Sequence, residues 1–420
     1  MTITSYGRGE RGVATLNTDE SNQTAQVTSF APRQIPVRPS RMHPASRPRL
    51  RVAIVVASLR ILGGQAVQAS RLLNGWAGDP EIDAWRVPID PIPPPPFDRL
   101  LRVKYVRTIV TQLCYWPLLI RELRRADVVH IFSASYSSFL LAPLPAVIVS
   151  RLLGKPVLLN YHSGEAADHL RGSWIARTTL RRAVDVNVVP SAYLRDVLAG
   201  YGVDAAVVFN TVDRDAFAYR VRDSATHPLR LLSTRNFEPN YNVACTLRAF
   251  ASVQARFPNV SLTLVGSGSQ ELALRELARA LELRDVHFAG AVPPERIASY
   301  YASADLYLQT PVVDNMPLSI LEAFASGLPV VSTAVGGVPA IVRDGVDGLL
   351  APDNDAERIA DRIVELIEHP DVARRLAATA HATCGQYDWR TVRESWRAIY
   401  RILARPNRKT EQPLQAQEPA

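Results

Sequence analysis

The sequence predicts two doubly wound α/β domains in tandem. Its 420 residues exceed one domain at about 150 residues each. Short β-branched apolar runs alternate with helical stretches, which is how a parallel sheet with crossover helices reads. The runs are continuous rather than alternating in polarity, as expected of strands buried on both faces. With 47% hydrophobic and 21% charged residues the chain has globular composition, which excludes collagen-like, wholly disordered and disulfide-scaffold classes.

Residues 1–48 are rich in Ser, Thr, Pro, Gln and Arg without a sustained hydrophobic period, so they read as a disordered arm, and 405–420 as a matching tail. The first series of strand-like runs covers 51–57, 84–89, 128–132, 156–162, 184–189 and 205–210. The second covers 229–234, 260–266, 286–290, 304–310, 329–335 and 348–351. Between them RDAFAYRVRDSATHP, polar and ending at Pro228, reads as a linker, which assigns 49–220 to a first domain and 221–385 to a second. Asp355 is placed to cap a helix carrying Ile359, Ile363, Val364 and Ile367, and Pro370 ends that helix and can open the next. A last segment, 386–404, with Tyr387, Trp389, Trp396, Ile399, Tyr400 and Ile402, can pack against either domain, including by crossing back to the first.

The three cysteines, Cys114, Cys245 and Cys384, fit neither a disulfide framework nor a zinc knuckle, so a reducing, cytoplasmic setting is expected. The net charge of +8 is carried almost wholly by arginine, since lysine occurs only at positions 104, 155 and 409. The opening residues lack the apolar core of a secretory signal, and no run approaches the roughly 20 apolar residues of a membrane span.

Ligands of open α/β sheets bind beyond the carboxyl ends of the strands. After the first run, Gly63 and Gly64 precede a helix expected near Gln65; such glycines allow close backbone approach, and the helix start offers free N–H groups to a phosphate. A plain turn is the alternative, and the spacing is not that of a dinucleotide fingerprint. His162 and Glu165 follow the fourth run, a pair able to donate, accept and exchange protons, with a structural histidine as the alternative. In the second half Arg235 follows the first run, where its fork can hold phosphate oxygens at two points; the alternative is a surface arginine. Gly266 and Gly268 repeat the glycine turn. Asp314 and Glu322 flank a helix start expected near Pro317, leaving the amides of Leu318 and Ser319 open to an anion; the alternative is a capping Asp and a solvated Glu.

The segment TPVVDNMPLSILEAFASGLPVVSTAVGG, 310–337, resembles the donor-site signature of retaining, nucleotide-sugar-dependent glycosyltransferases of family 4: two acids separated by seven residues, then an alanine and a G-x-P-V-V strand. The Gly63–Gly64 turn, His162, VVPS at 188–191, FNTVD at 209–213, Arg235, LVGSG, FAGAV at 288–292 and GGVPAIV at 336–342 follow in that family's order. The resemblance covers about residues 50–400 and implies a GT-B fold, a donor held mainly by the second domain, and no metal requirement. Carried over by residue, it implies that Glu322 holds the ribose hydroxyls. Asp314 and the loop of Asn315, Met316, Pro317, Leu318 and Ser319 hold the transferred sugar. Arg235 and the amides of Gly63 and Gly64 neutralise the diphosphate, Gly266 lies in the donor loop, and Ala291 and Val292 face the base. His162 contacts the sugar from the first domain, with Glu165 a candidate on the acceptor side. Three positions depart from the pattern: Asp314 stands where the first acid is usually glutamate, Tyr241 where a lysine usually meets the diphosphate, and Ala340 where glutamate is common.

The expected function is retaining transfer of a sugar from a nucleoside-diphosphate sugar to a hydroxyl acceptor, glycan or lipid-linked. No side chain stands out as a covalent nucleophile, so a front-face displacement is expected, in which the leaving diphosphate helps to deprotonate the acceptor. The alternatives are a non-catalytic sugar-nucleotide-binding scaffold and a GT-B phosphorylase, with an NAD-dependent enzyme a distant further reading.

From Asp98 to Arg125 seven basic residues stand against two acidic ones, interleaved with Val103, Tyr105, Val106, Ile109, Val110, Leu113 and Trp116. This resembles a basic amphipathic helix able to lie on an anionic membrane surface; the alternative is a helix that packs its apolar face on the sheet. The run 139–154, with two prolines and Arg151, is expected to be a buried crossover helix. No nucleic-acid module is recognisable.

Overall fold

Every apolar run becomes a strand. A computed structural model describes residues 48–58, 60, 64–103, 105–133, 135–222 and 229–405. The expected arm and tail, Gly63, Lys104 and residues 223–228 of the expected linker lie outside them, apart from Pro48 and Arg405. The first sheet contains β1 (Leu50–Val56), β2 (Ile82–Pro88), β3 (Val128–Ser133), β4 (Val157–Tyr161), β5 (Val186–Val189) and β6 (Ala205–Val207). The second contains β7 (Leu229–Ser233), β8 (Val260–Val265), β9 (Val286–Gly290), β10 (Leu306–Gln309), β11 (Val330–Thr333) and β12 (Leu349–Ala351). The orders are β2-β1-β3-β4-β5-β6 and β12-β11-β10-β7-β8-β9, and the neighbouring strands in both sheets are parallel. Strand order reverses beside β1 and again beside β7, so each sheet opens a crevice at that point.

The first domain carries α1 (Gly64–Trp76), α2 (Val106–Arg124), α3 (Tyr136–Leu141), α4 (Pro143–Leu152), α5 (Ala166–Gly172), α6 (Trp174–Arg182) and α7 (Ala192–Ala199). The second carries α8 (Val243–Arg256), α9 (Glu271–Ala280), α10 (Pro294–Ser303), α11 (Leu318–Ser326), α12 (Ala356–Glu368) and α13 (Pro370–Thr383), followed by α14 (Trp389–Ala404). Asp355 caps α12, its carboxylate accepting from the Arg358 amide at 2.9 Å, and Pro370 opens α13.

The chain passes between the sheets twice, and the two passages touch: the Val212 amide donates to the Tyr387 carbonyl at 3.0 Å. Beyond the second passage α14 packs on the first sheet, where Val392, Trp396, Ile399, Tyr400 and Leu403 join Val52, Ile54, Val128 and Leu158 in one core. The Trp389 indole N–H donates to the Gly75 carbonyl at 3.1 Å, and Arg397 pairs with Asp79 at 2.8 Å.

One expectation for the first domain needs correction. Residues 139–154 form not one buried helix but two, α3 and α4, broken at Ala142, with Leu140, Leu141, Ile148 and Leu152 exposed. The basic segment does not bury all its apolar residues. α2 packs Tyr115, Leu119 and Leu123 inward, while Ile109, Leu113, Trp116 and Ile120, spaced along a second face, are exposed, as are Phe97, Val103 and Tyr105 just before it. The helix has two apolar faces, and the sheet covers only one. Among the described residues no helix is long and apolar enough to cross a membrane.

Candidate active site

The start of α1 and the loops after β4, β7 and β10 converge at the two crevices. The starts of α1 and α11 face each other there: the Leu318 Cδ1 atom lies 4.0 Å from the position a Cβ on Gly64 would take. Two helix N-termini therefore face one space, and because first-turn amides have no partner within their own helix, the arrangement favours an anion. Gly63, assigned to the same loop, lies outside the described residues.

On the second-domain side Arg235 is the organising cation. Its guanidinium pairs with the Asp314 carboxylate, donates to Ser319 Oγ at 3.1 Å, and lies 4.1 Å from the centre of the Tyr241 ring. Ser319 Oγ passes the contact on to Gln309 Oε1 at 3.0 Å. Burial is the largest influence on Arg235 and works against its charge, but the Asp314 carboxylate together with Tyr241, Tyr307 and Tyr301 outweighs it, and its pKa is raised. Tyr241 thus supplies not a second charge but a face on which the first is held flat.

Two glycines make the loop possible. Gly266 has φ +153°, and a Cβ there would meet the Arg235 carbonyl oxygen at 2.2 Å; a Cβ on Gly337 would meet the Asn315 oxygen at 1.9 Å. The Gly337 amide donates to the Asp314 carbonyl at 2.9 Å, and the Asn315 amide to Asp314 Oδ1 at 2.8 Å. Val292 is partly buried against the core containing Met316 and Leu321, on the same side.

Glu322, about one turn into α11, is 7% exposed. Its carboxylate is met by a residue the sequence reading passed over: Arg71 of α1 donates from Nη2 to Glu322 Oε1 at 2.7 Å and from Nη1 to the Thr211 carbonyl at 2.8 Å. One turn earlier Gln68 holds Thr211 too, donating to its carbonyl at 2.7 Å and accepting from its amide at 3.0 Å. The three-residue spacing of Gln68 and Arg71 was the available signal, since it puts both on one helix face. Tyr301 lies fully buried nearby, its phenol pKa raised by burial first and by the Glu322 charge second.

The first domain contributes His162. Its carbonyl accepts from Asn315 Nδ2 at 2.9 Å, across the cleft. Close by, Asn210 Nδ2 donates to the Met316 carbonyl at 3.1 Å, so Asn315 and Met316 are both held from the opposite wall. Burial lowers the His162 pKa to about 4, which makes it a neutral hydrogen-bonding group at neutral pH rather than a cation. Its ring stacks on Phe132 at 5.3 Å, Phe132 stacks on His130 at 4.9 Å, and His130 Nδ1 lies 2.8 Å from the Tyr400 hydroxyl on α14. Glu165 is exposed at the entry to α5, and no hydrogen bond joins it to His162.

The structure thus brings Asp314, Asn315, Met316, Pro317, Leu318, Ser319, Glu322, Arg235, Gly266, Gly64 and His162 to one cleft and leaves Glu165 at its rim. Three polar atoms there, Arg235 Nε, Asn315 Oδ1 and His162 Nε2, are buried without a hydrogen-bond partner among the described residues. Such groups are costly when unpaired, so the cleft is chemically unfinished.

Comparison with known proteins agrees with this architecture. The family model described as Glycosyltransferase Family 4 matches residues 63–216, and that described as Glycosyl transferases group 1 matches 219–383. Over 309 residues the chain is 25% identical to the sulfoquinovosyl transferase SQD2 of Arabidopsis thaliana, covering 68% of this chain and 59% of that protein. Over 297 residues it is 27% identical to the phosphatidyl-myo-inositol mannosyltransferase of Mycobacterium tuberculosis, covering 68% of this chain and 76% of that one. The match thus spans less than two thirds of the first relative's length. Among solved structures, Anabaena HepE in complex with UDP-glucose superimposes with a TM-score of 0.68 at 18% identity, covering 84% of this chain and 99% of that one. The two models meet where the chain first passes between its sheets, and with the fold they frame the cleft: the chain belongs to the family 4, group 1 glycosyltransferases of GT-B fold.

Proposed function

We propose that this glycosyltransferase moves a sugar from a nucleoside diphosphate to a hydroxyl acceptor with retention of configuration, in cell-surface glycan or glycolipid synthesis. The observation that carries this reading is Arg235, bridging Asp314 and Ser319 at the start of α11, opposite the start of α1. That space suits a diphosphate. Glu322 then takes the ribose hydroxyls, Asp314 and the Asn315–Met316 loop the sugar, and neutral His162 a sugar hydroxyl. The UDP-glucose bound in the HepE structure supports a nucleotide-sugar donor.

In the step itself the acceptor oxygen bonds to the anomeric carbon on the face the diphosphate leaves. The carbon–oxygen bond to the diphosphate breaks with its electron pair going to phosphate, and the acceptor proton passes to a phosphate oxygen. The positive charge that stabilises this separation comes from arginine and helix amides, so no metal enters the reading.

The acceptor side supports a membrane setting. The exposed stripe Ile109, Leu113, Trp116 and Ile120 of α2, flanked by Arg99, Arg102, Arg107, Arg121, Arg124 and Arg125, suits peripheral binding to an anionic inner-leaflet surface from the cytoplasm. The relative named phosphatidyl-myo-inositol mannosyltransferase supports a lipid-linked acceptor.

The test is melting temperature in the presence of UDP, GDP, ADP, NAD and their sugar conjugates. One nucleoside diphosphate should raise it, by about 2.7 kcal/mol of stability at a hundred times its dissociation constant. Both Glu322→Ala and Arg235→Ala should abolish the rise and cut sugar transfer severely while the fold persists. Near-normal turnover in both variants would overturn the assignment.

A further inference from the structure

Four charged side chains described at the donor cleft cancel in two pairs. Arg235 pairs with Asp314 and Arg71 with Glu322, and the exposure of these side chains is 10%, 14%, 18% and 10% in that order. A diphosphate entering such a space brings two or more negative charges, which stay buried only if cations face them. Arg235 alone is one guanidinium, and Tyr241 lies against it as a ring rather than as a second charge.

Arg71 brings a second guanidinium to the same cleft. It projects from the helix whose first residue, Gly64, faces Leu318, and side chains on a helix lean back towards its N-terminus. One of its nitrogens is tied to the Thr211 carbonyl, which Gln68 holds in place, while the other touches only an acid that ribose hydroxyls can occupy equally well. Taking the proposed donor reading as its basis, we infer that Arg71 is the first domain's diphosphate-binding residue. Ribose hydroxyls displace it from Glu322, and its freed Nη2 turns to the phosphate while Nη1 keeps Thr211. Donor binding thereby exchanges the Arg71–Glu322 ion pair for contacts with the donor, and Arg71 ties nucleotide occupancy to the first crossover of the chain.

Titration calorimetry of the whole protein with UDP, GDP and ADP identifies the diphosphate that binds, and displacement by the matching nucleoside reports the ribose and base alone. Arg71→Ala and Arg71→Gln should weaken the diphosphate about tenfold to a hundredfold, as loss of a charge-assisted contact does, and leave the nucleoside unchanged or tighter. Arg71→Gln keeps a donor for the Thr211 carbonyl, so it separates charge from folding, and unliganded melting temperatures check both variants. Adding Tyr241→Lys to Arg71→Ala should restore part of the diphosphate affinity by returning a cation beside Arg235. Equal losses for diphosphate and nucleoside, or no loss for either, would overturn the assignment. If Glu322→Ala abolishes binding while Arg71→Ala does not, the donor reading stands and Arg71 is excluded. If none of the three diphosphates binds the unaltered protein, the donor reading fails and takes this inference with it.

Discussion

Helices α11 and α2 are built on opposite plans. All of α11 from Ser319 to Ser326 is buried, polar residues included, and its start and its one carboxylate point into the cleft. In α2 only Tyr115, Leu119, Glu122 and Leu123 of 19 residues are buried, and large apolar side chains face outward. A helix with no solvent face is fixed by the rest of the chain. A helix whose apolar face no described residue covers leaves that face open to a contact. The second domain thus turns polar groups inward, and the first leaves apolar ones outward among the described residues.

The contrast breaks most visibly in the core. Phe324→Ala in α11 and Leu119→Ala on the inner face of α2 should each cost about 2–5 kcal/mol in denaturant unfolding, whereas Leu113→Ala on the outer face should cost less than about 0.5 kcal/mol. Equal costs at Leu113 and Leu119 would mean that the outer stripe is packed after all. Gly337→Ala should abolish the nucleotide-dependent rise in melting temperature, because its Cβ has no room against Asn315, while Gly172→Ala, with open space around it, should leave the rise intact.

Membrane binding sharpens the comparison next. The triple variant Ile109→Ser, Leu113→Ser, Trp116→Ser should lose co-sedimentation with vesicles of phosphatidylglycerol and phosphatidylcholine while still binding nucleotide. Binding by the unaltered protein that is independent of the anionic lipid content would count against an electrostatic contribution.

A further effect is on acid stability. Burial pushes the His130 pKa down to about 3, with the His162 charge adding to it, and that of His162 to about 4. Unfolded histidine takes up its proton near pH 6.5, where these two refuse it, so their contribution is complete above about pH 6.5 and is lost as pH falls towards 3–4. The slope is at most about 1.4 kcal/mol per pH unit for each histidine. His130→Gln should flatten the stability profile over that range, and an unchanged profile would show that His130 does not carry it.

Much of the fold was legible because its signals are local. The strands are runs of Val, Ile and Leu long enough to cross a sheet, and Asp355 and Pro370 mark helix ends by their own chemistry. The 310–337 segment places Asp314, Ser319 and Glu322 around one helix start, so its geometry follows from spacing alone. Arg71 was barely legible, because its partner is 251 residues away and the shared helix face with Gln68 is a faint signal in an arginine-rich chain. The outer face of α2 was only half legible. Periodicity reveals that a helix has apolar stripes, but with two of them it cannot say which one the sheet takes.

The helix α14 binds the two halves in time as well as in space. Its Trp396, Ile399, Tyr400 and Leu403 cover strands β1 and β3, which leave the ribosome more than 250 residues earlier. Until the whole second domain has been synthesised, the face of the first sheet that carries Val52, Ile54 and Val128 has only the α1 part of its cover, from Ala69, Leu72 and Trp76. The order of synthesis therefore makes the first domain the last to be completed, and a hybrid that exchanges donor domains must carry α14 over with the first sheet.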